Sequence, residues 1–277
     1  MIFRDAGSTL QALESPHAIK EFNSPDRCAY ELESYVKLAA LLDEIKWHEK
    51  KARVQHLPKL AMMRSALSYK TPGGGKQCYI LQYAAQGESY NKILSTTTNC
   101  EERLKIGHEI AVAYGAMHAE FAESFTGLRD MRTLIHGDAG TGNVFYDRVS
   151  NTVTLVDLGG MIGGMGFAFA IGDLSSINQF WVGQQTVDAE VSVETLSREQ
   201  KAGNDTTHIR TTLTEQIKEF QETMTGAEEF MKSYLANFPP SRQAPMLAEW
   251  KALRFFDYEK AEFERRVLVP FAALAKP

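Results

Sequence analysis

Little in this 277-residue chain marks a specialised environment. It has only three cysteines, Cys28, Cys78 and Cys100, odd in number and far apart in sequence. They show neither metal-ligand spacing nor a disulfide framework, and are expected to be small hydrophobes in a reducing compartment. There is no run of eighteen apolar residues and no charged-then-apolar leader pattern at the first residues, so no membrane segment is expected. A cytoplasmic protein is the default reading, with secretion by a route that needs no leader left open. Charge of one sign is not in excess: 30 Lys and Arg stand against 35 Asp and Glu, a net charge of −5. No nucleic-acid partner and no anionic membrane surface is therefore expected. Internal repeats and low-complexity tracts are missing as well. What remains is 44% hydrophobic and 23% charged, enough for a substantial core at a length that suits one large domain or two lobes.

Against that plain background one stretch stands out. Ile135-His136-Gly137-Asp138-Ala139-Gly140-Thr141-Gly142-Asn143 is followed by Val153-Thr154-Leu155-Val156-Asp157-Leu158-Gly159. Phosphoryl transfer needs such a set: a carboxylate to orient and deprotonate an acceptor hydroxyl, and an Asn and an Asp to hold Mg²⁺ against phosphates. The competing reading is a plain hairpin, because Asp, Gly and Asn are also the residues that turns prefer. Val144-Phe145-Tyr146 and Val153 to Val156 are β-prone and are joined by the turn-rich Asp147-Arg148-Val149-Ser150-Asn151. Such a hairpin carries Asn143 at one strand entrance and Asp157 at the other strand exit, so both reach the same edge.

The pattern resembles the catalytic and metal-binding loops of the protein-kinase-like superfamily. Its His136-Gly137-Asp138 form is most similar to the aminoglycoside phosphotransferase and choline kinase branch, and to small atypical kinases of the RIO group. Protein kinases usually show His-Arg-Asp and Asp-Phe-Gly, where this chain has His136-Gly137-Asp138 and Asp157-Leu158-Gly159. The resemblance implies an α+β bilobal fold, with a small β-sheet lobe carrying one helix over 1–84 and a larger, mainly helical lobe over 85–277. It implies Asp138 as the catalytic residue, Asn143 and Asp157 as ligands of Mg²⁺ (or Mn²⁺), and ATP as the donor. Ala18-Ile19-Lys20 resembles the kinase strand whose Lys pairs with ATP phosphates. Glu31 is its implied partner, with Glu33 as the fallback. Gln82, Tyr83 and Ala84 resemble the hinge that receives adenine. Gly7-Ser8 is read either as a phosphate clamp or as an ordinary hairpin turn.

The other parts are expected in sequence order. Short strands are read at 2–5, 9–13 and 17–22, and a helix from Pro25 to about Leu42, capped by Ser24, with Tyr30, Leu38 and Leu41 on one side. A charged stretch at 46–53 leads to a strand at 60–64. Gly73-Gly74-Gly75-Lys76 lacks the Walker spacing and is read as a hairpin turn before a strand at 77–81. A long helix runs from 101 to about 123 and ends near His118, taken as structural. The five glycines between Gly159 and Gly166 suggest a pliable loop. Asp173 is either a brace for the catalytic loop or a helix cap. Residues 184–212 read as a mobile linker or exposed helices. Helices follow at 213–224, 227–238 and 245–266, their aromatics packing the large lobe. The expected activity is transfer of the ATP γ-phosphate to an acceptor hydroxyl of a small molecule. The alternatives are an atypical Ser/Thr protein kinase, such as a bacterial effector, and a nucleotide-binding pseudokinase.

Overall fold

A helix cap and two strand registers set the amino-terminal part. The structure is a computed structural model that describes residues 17–22, 24–70, 76–123, 125, 127, 129–252 and 254–274. Strand β1 (His17–Phe22) leads to α1 (Pro25–Glu44), whose start follows from Pro25 at the first helical position, Asp26 in the first turn and the Ser24 hydroxyl accepting from the Arg27 N–H at 3.5 Å. The helix buries Cys28, Tyr35, Leu38 and Leu42 at helical spacing. Tyr30, expected on that face, is instead 71% exposed, and Leu41 only packs at the core margin. The charged stretch after it forms a helix: α2 (Trp47–Arg53) buries Trp47 and stacks its ring on Phe121 at 5.3 Å.

Strand β2 (Lys59–Leu60) precedes β3 (Met63–Lys70) and β4 (Lys76–Tyr83). β3 and β4 are antiparallel down to Lys70 opposite Lys76, while 71–75, where the glycine turn was expected, lie outside the described residues. β1 runs antiparallel to β4 from His17–Tyr83 to Phe22–Cys78, giving the order β1-β4-β3. Phe22, Cys28, Cys78 and Ile80 form a small core between this sheet and α1. Cys28 and Cys78 are joined as a disulfide there, with Cα atoms 6.1 Å apart, which corrects the expectation of free thiols. Sequence spacing could not reveal it, because the pair becomes adjacent only when α1 lies on β4.

Next come β5 (Glu88–Ser89), α3 (Tyr90–Thr96), α4 (Cys100–Glu120), β6 (Arg132–Ile135), β7 (Val144–Asp147) and β8 (Thr152–Leu155). β7 and β8 make the expected hairpin, inside a sheet of order β2-β8-β7-β5. β2 joins β8 in parallel, so segments on both sides of residue 84 share one sheet. The glycine stretch is more regular than expected: after a 3-10 turn at Leu158–Gly160, β9 (Ile162–Gly166) pairs antiparallel with β6.

The remainder is helical. Helix α5 (Phe167–Lys201) and helix α6 (Thr207–Leu235) cover most of 184–212, so of the two readings of that segment, a mobile linker or helices, it is helices that form. Ala189, Val193 and Leu196 of α5 are buried together with Leu213, Phe220 and Met224 of α6. That stripe is thin, and the polar residues around it hid it. α6 also runs through Gly226 without a break: a Cβ there would lie 2.5 Å from Leu104 Cδ2, so the glycine lets α4 and α6 pack closely. α7 (Pro240–Ala252) starts before Pro245, which lies inside it, and α8 (Arg254–Phe263), a π turn and α9 (Val269–Leu274) complete the chain. The architecture is mixed α+β. Among the described residues no helix is long and apolar enough to cross a membrane.

Candidate functional site

Lys20 brings three distant segments to one point. It sits in β1 opposite Ile80 of β4. Its Nζ donates to Glu31 Oε1 at 2.9 Å and to Asp157 Oδ1 at 2.8 Å, residues 11 and 137 positions away. Partial burial pulls the Lys20 pKa down, but its hydrogen bonds to Asp157 and Glu31 outweigh it, so the ammonium is held above its ordinary value. Glu31 is the inward glutamate of α1: a Cβ on Gly159 would lie 3.4 Å from its Oε2. Glu33 is exposed and pairs with Lys37 at 2.7 Å instead. Asp157 leaves β8 in the left-handed region, φ 57°, and so turns the chain sharply into the 3-10 segment. Asp tolerates that conformation better than most residues, since its short side chain bonds locally.

The loop after β6 is fixed by its backbone. The buried His136 sits between two partners that define its tautomer: Nε2–H donates to Val156 O at 2.9 Å, and Nδ1 accepts from the Asp138 N–H at 3.2 Å. Burial lowers its pKa, consistent with a neutral ring. Gly137 has φ 81°, and a Cβ there would lie 2.4 Å from Gly160 O, so a side chain at this position meets both strain and a clash. This is a physical reason for Gly between His136 and Asp138. Asp173 is not a cap; it lies inside α5, where Oδ2 accepts from His136 N at 2.6 Å and Oδ1 from Gly137 N at 3.0 Å. Burial raises its pKa to about 6 against the opposing pull of those two amides. His118, structural as expected, bonds through Nδ1 to the Tyr234 hydroxyl at 3.0 Å, and burial pushes it down to about 3.

The Asp138 carboxylate faces the open side of this loop, where the residue is exposed. The Asn143 side-chain N–H₂ donates to Asp138 O at 2.9 Å and to Asp138 Oδ2 at 3.3 Å. The amide nitrogen thereby faces Asp138. Val156 N donates to Asn143 O at 3.0 Å, which closes the β7–β8 hairpin and holds Asn143 one residue from Asp157 across the pair. Among the described residues no cluster of three or more His, Cys, Asp or Glu forms a metal cage. Two hard oxygen donors suit Mg²⁺, which commonly takes one or two protein ligands and fills its shell with phosphates and water.

The other expected positions divide. Gln82, Tyr83 and Ala84 end β4 and lead out of it, and the Tyr83 N–H already donates to Met62 O at 3.1 Å, so that amide is occupied. Gly7 and Ser8 lie outside the described residues. Tyr35, four residues after Glu31, is buried, and its hydroxyl donates to Gln82 Oε1 at 3.2 Å. No family model matches this chain, and no curated protein matches it either.

Proposed function

We propose that this chain is an ATP-dependent phosphotransferase with a kinase-like bilobal fold, its small lobe spanning 1–84 and its larger lobe 85–277. The observation that carries the reading is Lys20 held between Glu31 and Asp157, 2.9 and 2.8 Å away, in a chain whose Asp138 and Asn143 also bond each other. Lys20 grips the donor phosphates, and Glu31 keeps the ammonium in place. Asn143 and Asp157 hold Mg²⁺, or Mn²⁺, which supplies charge neutralisation at the phosphates. Asp138 orients an acceptor hydroxyl and takes its proton as the acceptor oxygen bonds to the γ-phosphorus and the bond to ADP breaks. His136, Gly137 and Asp173 contribute by fixing the loop that presents Asp138. Positioning and electrostatics supply the rate, with no covalent protein intermediate. The acceptor is a hydroxyl of a small molecule or of a protein.

The test is thermal shift with ATP, with and without Mg²⁺, followed by labelled ATP with lysate and with a metabolite pool. A metal-dependent shift with phosphate incorporation is expected. Asp138→Ala should keep the shift and lose roughly 10²–10⁴ in transfer rate. A shift without any transfer identifies a nucleotide-binding module, and no shift at all removes the reading.

A further inference from the structure

A covalent bond beside the Lys20 site takes no part in the chemistry above. Cys28 of α1 and Cys78 of β4, 50 positions apart in sequence, form a disulfide, and both residues are buried. Cys28 precedes Glu31 by three residues, so the two share a face of α1. Cys78 pairs with Phe22, two residues beyond Lys20 on β1, and the Phe22 ring centroid lies 5.4 Å from the Lys20 Nζ. The bond thus joins the helix and the sheet whose side chains, Glu31 and Lys20, meet at 2.9 Å. Packing around it is thin. Phe22, Cys28, Cys78 and Ile80 make up the small core under the first turns of α1, with Leu32 and Met63 at its margin. Tyr35, Leu38 and Leu42, further along the helix, belong to the large core instead.

We propose that this disulfide is a redox latch on the Lys20 site: oxidised, it pins the first turns of α1 to β4 with Glu31 against Lys20; reduced, it frees them and weakens the hold on donor phosphates. The effect on nucleotide rests on the phosphotransferase reading, while the release of α1 does not. The step is a two-electron thiol–disulfide exchange. Two small thiols give their protons to the sulfurs of Cys28 and Cys78, the S–S bond of the protein breaks, and an S–S bond forms between the two small thiols. Two thiols in van der Waals contact need more room than one bonded pair, and a core of four buried residues has little to give. The start of the helix gives way there, while Tyr35 and the residues after it stay anchored. Because both sulfurs are buried, a reductant reaches them only when α1 opens, and whatever holds Glu31 on Lys20 opposes that opening. Redox state and nucleotide therefore influence each other by one shared factor.

The test compares oxidised with reduced wild type, with the double variant Cys28→Ala and Cys78→Ala as a form that cannot close, and Cys100→Ser as the control for the third cysteine. Oxidised protein, denatured and alkylated, should show one free thiol, and three would overturn the proposal. Hydrogen exchange over 28–36 should accelerate on reduction, while α4 and the β7–β8 hairpin keep their protection. Mg²⁺-ATP should bind the oxidised protein roughly 5-fold or more tightly than the reduced one, and should protect the disulfide from a glutathione buffer by the same factor. The double variant should bind like reduced wild type and ignore the reductant, and Cys100→Ser should respond as wild type does. Unchanged exchange over 28–36 overturns the proposal. So does faster exchange throughout the chain, because the bond would then serve the whole fold and not this site. Equal affinity of the two redox forms for Mg²⁺-ATP overturns the hold on phosphates. A wild type that binds no ATP in either form removes the phosphotransferase reading, and exchange over 28–36 still decides for or against the release of α1.

Discussion

At the scale of single residues, the site reads as a set of groups that only work in combination. Gly137 shows how closely the backbone is specified: its φ and the Gly160 carbonyl 2.4 Å from a would-be Cβ leave room for no side chain. The triad of Lys20, Glu31 and Asp157 was legible as residue types in order, because Lys in a β-prone run and Glu on the next helix are patterns of sequence. Which glutamate faces inward was settled by rotation of the helix, and that depends on which side packs. Exposed ion pairs such as Glu33–Lys37 add little stability. Glu31 lies in a less exposed place and acts through Lys20. Lys20→Ala and Glu31→Ala should therefore be non-additive in ATP affinity: the double variant should bind about as weakly as Lys20→Ala alone, because both changes remove one shared interaction. Glu33→Ala should be nearly silent. Multiplying defects in the double variant would show that Glu31 does not serve Lys20, and silence at all three would sink the triad's role in binding.

At the scale of elements, periodicity was readable where it was strong. The capped start of α1 and the β7–β8 hairpin follow from local chemistry, and both stand where the sequence put them. α2 escaped because a single buried Trp47 anchors six exposed or half-buried neighbours. α5 was legible only in part because its apolar stripe is diluted by Thr, Gln and Glu, and β9 escaped because glycines carry no pattern at all. Asp173 was open between cap and brace, since its partners, the His136 and Gly137 amides, come from another element. This bond between α5 and the loop has a consequence for pH. Asp173 titrates at about 6 in the folded protein against 3.8 ordinarily, so between those values the folded state holds the extra proton and stability falls as pH rises. His118, at about 3 against 6.5, has the opposite sign: the unfolded state holds the extra proton, and stability falls as pH drops below 6.5. Near pH 5 these two contributions oppose each other, and His136, also lowered by burial, adds to the acid side. Asp173→Asn removes one side of the balance. Its stability should fall more steeply from pH 6 to pH 4 than that of the wild type, by about 1.4 kcal/mol per pH unit. Denaturant titrations at several pH values measure this, and parallel slopes would show that Asp173 is charged throughout.

At the scale of the whole molecule, two cores divide the long helices between them. The larger core takes Ala170 and Leu174 from the start of α5 and Phe230 to Leu235 from the end of α6, together with α1, α4 and the strands that carry the site. The second takes Ala189 to Leu196, Leu213 to Met224, Phe263 and Val267. Each of the two helices thus begins in one core and ends in the other, and Ala139, Val144 and Leu158, the chain neighbours of Asp138, Asn143 and Asp157, belong to the first. Within the second, the rings of Phe220 in α6 and Phe263 in α8 stack with centroids 3.6 Å apart, and Arg266 of the π turn pairs with Glu190 of α5. Phe220→Ala removes one ring from a place where neither water nor another side chain substitutes for it. Such truncations cost about 3–5 kcal/mol, a large part of the stability of one cooperative unit. Because the second core shares only helix backbones with the first, that loss should appear as local opening. Hydrogen exchange should rise over 187–224 and 258–274, while α4 and the β7–β8 hairpin keep their protection. The Mg²⁺-dependent shift with ATP should persist in the same variant. If exchange instead rises uniformly and the nucleotide response disappears, the two cores unfold as one, and the carboxy-terminal helices are part of what holds Asp138 and Asp157 in place.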